Sequence, residues 1–368
     1  MRSTRILTGL DAVTRPPARA VVTVGVFDGV HLAHQRLIQA TVQAARRARG
    51  TSVVVTFHPD PHTVLDPSHA QPLLMPLAAR LARLQQLGVD WIWIIPFTKR
   101  FARLTAAQFI RRILIGRLRA SMLVVGEAFV FGRNRQGNMD ALRAIGPTHG
   151  MRVVALRQVQ CCGQSISSSR IRRLIARGRF AHAARLLGRA PELYGLVVRG
   201  AGRGRTLGTP TANIALSSRV LPPEGVYAVM VNPPSPDAQF FGGKRGEARV
   251  LLRSRADKAT AKQNTASERL RPTGKPVGLH TSAPPRAWQG VMNFGMRPTF
   301  GPGPRVCEVH LLGFSGTLLG RPVRVSLLAR LRGERRFSSI EALTAQIRRD
   351  LARARRVFAR STSQFRSP

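Results

Sequence analysis

The chain has 368 residues, 43% of them hydrophobic, and 59 Lys and Arg against 17 Asp and Glu, giving a net charge of +42. That length and apolar content allow two packed cores. Three cysteines, Cys161, Cys162 and Cys307, without metal-ligand spacing exclude a disulfide-stapled scaffold. Runs such as Trp91 to Phe97 are too short to span a bilayer. With no signal-peptide core after Arg2 and Arg5, a soluble cytoplasmic protein is expected.

The positive charge is almost wholly arginine, since the lysines are Lys99, Lys244, Lys258, Lys262 and Lys275. A surface this basic attracts nucleic acid without sequence specificity, so a nucleic-acid binder is one reading. The arginines are scattered along the chain, however, and few aromatic residues lie among them as base-stacking platforms. A coding bias toward arginine accounts for this better, and neither a specific nucleic acid nor a membrane is expected as partner.

The first half alternates strand and helix. Strands are expected at Val21–Phe27, Ser52–Phe57, Trp91–Ile95, Met122–Val125 and Val153–Leu156. Helices are expected at His31–Arg49, Leu77–Leu87, Ala106–Leu118 and Asp140–His149. This rhythm predicts a parallel sheet with helices on both faces. Two short helices, Ser168–Arg177 and Phe180–Leu187, close the half. Beyond a boundary near Gly188–Leu193 the strands shorten and Gly and Pro punctuate them, which predicts an antiparallel barrel or sandwich. Its strands are Tyr194–Val198, Gly225–Val231, Val291–Phe294, Val306–Leu312 and Val323–Leu331. A terminal helix, Ser339–Ala354, carries Ile340, Leu343, Ile347 and Leu351 at helical spacing, and a frayed tail is expected from about Arg360. Residues 232–286 are rich in Pro, Gly, Ser and Arg and read as a disordered insertion, with Ala248–Arg253 as a possible strand.

Several segments carry candidate chemistry. In Gly25-Val26-Phe27-Asp28-Gly29-Val30-His31-Leu32-Ala33-His34, a strand runs through an Asp-Gly turn into a helix start. His31 and His34, three apart, share one helix face beside free N–H groups that attract anions. Two surface histidines on an ordinary helix are the other reading. Gly126-Glu127-Ala128-Phe129-Val130-Phe131-Gly132 places two aromatics at a strand end, suited either to a flat ring system or to core packing. Ser167-Ser168-Ser169-Arg170-Ile171-Arg172 offers hydroxyls that cap a helix and guanidinium groups that grip phosphate.

In the second half, Gly202-Arg203-Gly204-Arg205-Thr206-Leu207-Gly208-Thr209-Pro210 is a glycine-rich loop able to form an anion nest. In the extended stretch that follows, Thr211 and Asn213 face one side and offer hard oxygen ligands suited to Mg²⁺. In Cys307-Glu308-Val309-His310, Glu308 and His310 share a face, and Glu308 beside an ATP–Mg²⁺ site could take a proton from an attacking hydroxyl. A surface ion pair is the alternative.

These motifs, in order and spanning about Val21 to Arg355 apart from the insertion, closely resemble the bacterial bifunctional riboflavin kinase/FMN adenylyltransferase (FAD synthetase) family. The resemblance also rests on Thr56-Phe57-His58-Pro59, Leu186-Leu187-Gly188-Arg189, Gly225-Val226-Tyr227 and Arg297-Pro298-Thr299-Phe300. It implies a Rossmann-like α/β nucleotidyltransferase domain over 1–187. A β-barrel riboflavin kinase domain with a C-terminal helix would follow over 188–360.

The implied chemistry is phosphorylation of riboflavin by ATP–Mg²⁺ to FMN, then adenylylation of FMN to FAD with release of pyrophosphate. By resemblance, His31 and His34 meet the ATP phosphates, joined by Gly25, Phe27, Asp28, Ser168, Ser169 and Arg172. Phe57, His58, Pro59, Phe129 and Phe131 lie near the flavin. Gly204, Arg205, Gly208, Pro210, Gly295, Arg297 and Thr299 line the kinase site. Thr211 and Asn213 are the metal and phosphate ligands, and Glu308 is the catalytic base. Three departures stand out: Ala33 replaces the glycine of the His-x-Gly-His pattern, Ala128 replaces an aspartate, and the 232–286 insertion lengthens a hairpin. The first two leave open a kinase whose adenylyltransferase half is impaired. A homo-oligomer is compatible with the sequence.

Overall fold

The computed structural model describes residues 3–200, 209–218, 220–232, 287–296 and 305–364. The expected insertion, with Ala248–Arg253, therefore lies outside the described residues apart from Asn232. Six strands form one all-parallel sheet: β1 (Arg5–Thr8), β2 (Val21–Val24), β3 (Ser52–His58), β4 (Trp91–Pro96), β5 (Met122–Gly126) and β6 (Arg152–Leu156). Their order is β1-β4-β3-β2-β5-β6. Every residue of β2 is buried, as strands covered on both faces are. One face is filled by Val22, Val55, Trp93, Leu123 and Leu114, the other by Ile38, Val54, Leu84 and Ile92.

The helices of this half are α1 (Leu32–Arg47), α2 (Pro61–Leu65), α3 (Leu77–Gln86), α4 (Lys99–Ala102), α5 (Ala106–Phe109), α6 (Met139–Ile145), α7 (Ser168–Ala176) and α8 (Phe180–Leu187). One strand and two helices depart from expectation. The strand expected to reach Phe27 stops at Val24, because the backbone turns over at Phe27, whose φ is +55°. The helix expected over 106–118 is α-helical only to Phe109 and continues as a π-helix over Ile110–Arg117. The helix expected to run to His149 stops at Ile145, and Pro147 opens a separate 3-10 turn. β1 was not anticipated; it is four residues long and pairs with β4, and the Arg5 guanidinium lies 4.8 Å above the Trp91 ring.

A two-rung hairpin, β7 (Gln160–Cys161) and β8 (Gln164–Ser165), precedes α7. The second half is a closed antiparallel barrel of β9 (Glu192–Val198), β10 (Thr211–Leu216), β11 (Gly225–Asn232), β12 (Trp288–Gly295), β13 (Val306–Leu311) and β14 (Pro322–Arg332). Their cyclic order is β10-β13-β12-β11-β14-β9. Tyr227, Val229, Met292, Phe294, Val309 and Val325 belong to its core. Ile171, Ile175, Phe180 and Leu186 of α7 and α8 join that same core, with the Phe180 and Tyr227 rings 5.6 Å apart. Among the described residues no helix is long and apolar enough to cross a membrane.

The terminal helix α9 (Ile340–Gln364) runs ten residues beyond the expected end and through the start of the expected tail. Its buried row is also not the expected one. Gln346, Asp350, Ala354 and Phe358, spaced by four, face the barrel, whereas Ile340 is 65% exposed. The reason is polar: Arg332 of β14 pairs with Asp350 at 2.9 Å and Gln346 donates to Asp350 at 2.8 Å. Small Ala354 and large Phe358 then pack against Val226 and Leu331. Phe358→Ala should therefore cost about 3 kcal/mol in urea unfolding; a change under about 1 kcal/mol would mean the helix is not docked there.

Candidate functional site

Strand order places a switch point at β2, where β3 lies on one side and β5 on the other. Crevices open beyond the carboxyl ends of strands at such points. A cavity of about 270 Å³ lies there, lined by Gly25, Phe27, His34, Gly126, Phe129 and Arg157 among others. Both departures noted above, Ala33 and Ala128, also line it.

The turn that enters this cavity is strained. Phe27, Gly29 and Val30 have φ of +55°, +82° and +39°. Gly29 takes a φ that residues with side chains rarely adopt, and a Cβ there would also press on Leu74 Cδ1 at 2.6 Å. Such conformations cost about 1–3 kcal/mol each for residues with side chains and persist where surroundings over-determine them. Asp28 supplies part of that hold. Its buried carboxylate accepts from the Leu74 amide at 3.0 Å and pairs with Arg172 at 2.7 Å, and its carbonyl accepts from Ser168 Oγ at 2.9 Å. Burial pushes the Asp28 carboxyl up, against the opposing pull of the Leu74 amide and Arg172. Of the residues expected at the phosphates, Ser168 and Arg172 are thus each bonded to Asp28. Ser169 is exposed, with Arg172 Nη1 3.5 Å from its hydroxyl.

The turn ends at His31, which caps α1 rather than opening it. Its Nδ1 accepts from the His34 amide at 3.3 Å. The two imidazoles stack, centroids 3.5 Å apart and planes 17° apart. Burial lowers His31 to about 4 and holds His34 well below its usual range, with His31 and Arg80 adding repulsion at His34. The pair is neutral at pH 7. His34 Nδ1 is closed off from solvent and has no hydrogen-bond partner among the described residues. Such an atom at a cavity wall suits a ligand that supplies the missing contact.

The aromatic candidates form a connected series. Phe57 meets Phe97 and Phe101, Phe101 meets Phe109, Phe109 meets Phe131, and Phe131 stacks on Phe129 at 5.3 Å. Phe57 and Phe131 are core residues; Phe129 reaches the cavity. The bond between His58 and Pro59 is cis. Burial and Arg80 lower the His58 pKa.

Arg80 was missed from sequence. It is 3% exposed and donates to the Val26 and Phe57 carbonyls at 2.5 and 3.1 Å, tying the segment just after β2 to β3 beneath the turn. Its signal was an arginine inside the apolar stripe of Leu77, Leu81 and Leu84.

In the barrel, antiparallel register sets Thr211 opposite His310 and Asn213 opposite Glu308; Glu308 also faces Asn293 on β12. Since directly opposed residues share a sheet face, Thr211, Asn213, Glu308, His310 and Asn293 form one polar patch. Val309 and Cys307 point into the core instead. Asn293 was the member not singled out; its place in the Asn-x-Gly-x-Arg-Pro-Thr segment was the available signal. His310 Nδ1 donates to the Pro210 carbonyl at 2.9 Å. A cavity of about 500 Å³ opens at this barrel end, lined by Gly200, Pro210, Thr211, Asn213, Phe314 and Leu319 among others. Glu308 does not line it. Gly295 sits at the other end of its strand against Glu334, whose carboxylate a Cβ would strike at 2.6 Å. Gly204, Arg205, Gly208, Arg297 and Thr299 lie outside the described residues.

Comparison with known proteins bears on both halves. A family profile described as FAD synthetase matches residues 14–170, and one described as riboflavin kinase matches residues 187–358. Bifunctional riboflavin kinase/FMN adenylyltransferases are similar over nearly the whole chain. That of Pseudomonas fluorescens is 35% identical, covering 94% of this chain and 96% of that protein. That of Escherichia coli K12 is 32% identical, covering 96% and 98%. A solved structure described as a macrolide-efflux protein from Streptococcus pneumoniae superposes with a TM-score of 0.73 at 27% identity, covering 96% of this chain and 98% of that one.

The histidine pair predicts a pH dependence. The unfolded chain protonates His31 near 6.5, while the folded chain resists protonation until about 4. The stabilisation is complete above 6.5 and is lost as pH falls toward 4, with about 2 kcal/mol gone between pH 7 and pH 5. His31→Asn keeps a capping side chain and should remove that part of the acid sensitivity. Equal losses for both proteins in urea unfolding at the two pH values would refute this origin.

Proposed function

The chain belongs to the bifunctional riboflavin kinase/FMN adenylyltransferase family, and on that premise we propose a division of labour between its halves, with the join at Leu187–Gly188. The enzyme phosphorylates riboflavin to FMN and adenylylates FMN to FAD. In this reading the barrel performs the first reaction and the sheet half the second. The observation that carries the kinase assignment is the cross-strand register that sets Asn213 beside Glu308.

In the barrel, Glu308 accepts the proton of the terminal ribityl hydroxyl as its oxygen bonds to the γ-phosphorus of ATP and ADP departs. Thr211 Oγ, on an exposed residue, and the side-chain oxygen of half-buried Asn213 are hard donors, a set that fits Mg²⁺ sharing most of its shell with phosphate and water. Bound there, Mg²⁺ would neutralise charge on the phosphoryl oxygens. Among the described residues no group of three His, Cys, Asp or Glu could hold a metal without such help. Pro210 borders this face; by family resemblance Gly204, Arg205 and Gly208 are assigned to the nucleotide and Gly295, Arg297 and Thr299 to the flavin.

In the sheet half the nucleophile is the FMN phosphate, already an anion, so no base is needed. An FMN oxygen bonds to the α-phosphorus of ATP and pyrophosphate leaves. Rate then comes from alignment and charge stabilisation. ATP occupies the crevice between β2 and β5, with Gly25 giving close backbone approach and the neutral His31 and His34 donating to phosphate oxygens. Ser169 adds a hydroxyl, while Asp28, Ser168 and Arg172 frame the turn. Phe129 and His58–Pro59 border the isoalloxazine, with Phe57 and Phe131 behind them. Riboflavin, FMN and ATP are the partners this reading calls for, in the cytoplasm.

With riboflavin, ATP and Mg²⁺, chromatography should resolve both FMN and FAD, and chelation of the metal should stop both. Glu308→Gln should cut FMN formation by about a hundredfold or more while added FMN still becomes FAD. His34→Ala should show the opposite pattern. Full riboflavin phosphorylation by the Glu308 variant would remove that carboxylate from the mechanism.

A further inference from the structure

One buried ionic cluster joins the two halves, and no step of either reaction uses it. Glu192, at the start of β9, is 7% exposed at its side chain. Its carboxylate pairs with Arg83 of α3 at 2.7 Å, with Arg189 at 3.3 Å and with Arg324 of β14 at 3.4 Å, and accepts from the Tyr194 hydroxyl at 2.7 Å. Burial alone would push this carboxyl up; the three guanidinium groups hold it below the usual carboxylate range.

Arg189 uses its remaining donors on the strained turn. Its Nη2 donates to the Gly29 carbonyl at 2.7 Å, and its Nη1 to the Val30 and Leu187 carbonyls at 3.3 Å each. Gln35 of α1 donates to the Val30 and Leu187 carbonyls at 2.9 and 3.0 Å. Gly188, at φ +72°, brings the join against α1; a Cβ there would lie 2.7 Å from Leu32 Cδ2. The backbone oxygens immediately before His31 are therefore gripped by one arginine whose own anchor is a barrel carboxylate. A planar fork with five fixed donors can make these bonds together; a lysine ammonium cannot.

Resting on the assignment of nucleotidyl transfer to the sheet half, the geometry points to Arg189 as a positioning residue for that reaction. Anchored by Glu192, it holds the Gly29–Val30 carbonyls and thereby fixes the His31–His34 pair at the cavity. It touches no substrate. A turn with positive φ at Phe27, Gly29 and Val30 relaxes when its restraint is removed, and misplacement of a catalytic constellation by about 1 Å can cost about a hundredfold in rate. The barrel face bearing Glu308 is built from β10, β12 and β13 and needs none of these contacts.

The test measures both reactions in the full-length chain. Arg189→Met should lower kcat for FMN adenylylation by about tenfold or more, with KM for FMN and kcat for riboflavin phosphorylation within about twofold of wild type. Arg189→Lys should recover part of the lost kcat. Unchanged adenylylation in Arg189→Met overturns the proposal, and so does an equal fall in both reactions, which would mark a general structural role. If the methionine variant does not fold, Arg189→Lys decides: reduced adenylylation with normal phosphorylation supports the inference, and wild-type values for both refute it. A wild-type chain that phosphorylates riboflavin but makes no FAD from FMN would overturn the sheet-half assignment together with this inference. An active wild type with an equally active Arg189→Met overturns the inference alone.

Discussion

A β-branched residue at φ +39°, preceded three positions back by a phenylalanine at +55°, does not rest in an intrinsic minimum of the chain. The turn from Phe27 to His31 exists because its surroundings leave it no alternative. The Asp28 carboxylate is fixed to the Leu74 amide and Arg172, Arg80 holds the Val26 carbonyl, and Arg189 and Gln35 hold the carbonyls after it. These restraints come from α3, α7, the 71–75 segment, α1 and the join to the barrel. Three helices, one loop segment and the join converge on five residues, and the stacked histidines inherit their position from that convergence.

The chain resolves its charge imbalance unevenly. Acidic side chains are scarce, 17 against 59 basic ones, yet three of them are buried at junctions. Asp28 joins the turn to α7, Glu192 joins α3 to the barrel, and Asp350 joins α9 to β14. Each meets at least one arginine. A buried pair adds little net stability compared with apolar packing, but loss of one partner costs about 3–5 kcal/mol because a charge is left without its counterion. The interior carboxylates thus act as registration points between elements rather than as sources of bulk stability.

Much of this was legible in sequence, for reasons that differ by element. The parallel sheet announced itself through apolar runs such as Ser52–Phe57, because two-sided burial leaves no alternation to obscure. The barrel patch was legible for the opposite reason: a period of two puts Thr211 and Asn213, or Glu308 and His310, on one face whatever the tertiary detail. Strand pairing could not be read, so the meeting of Asn213 with Glu308 came only from the structure. The face of α9 was misread because its buried row contains Gln346 and Asp350, polar residues that belong inside only once Arg332 is opposite. Arg80 and Glu192 were overlooked on the same account. A lone buried charge carries no local pattern, and the partner that ties it to another element is far away in sequence, 109 positions in the case of Arg83 and Glu192.

The packing of Tyr194 completes this picture. It belongs to the barrel's first strand, yet its ring is buried with Phe27, Val30 and Ile38 of the sheet half. Each half has thus become part of the other's interior, like two bricks sharing mortar. Cutting the chain at the join would not release two finished modules: one would be left with a greasy socket and a bare guanidinium, the other with a stranded tyrosine. For such an architecture, recombining halves from different lineages requires exchanging the seam along with them.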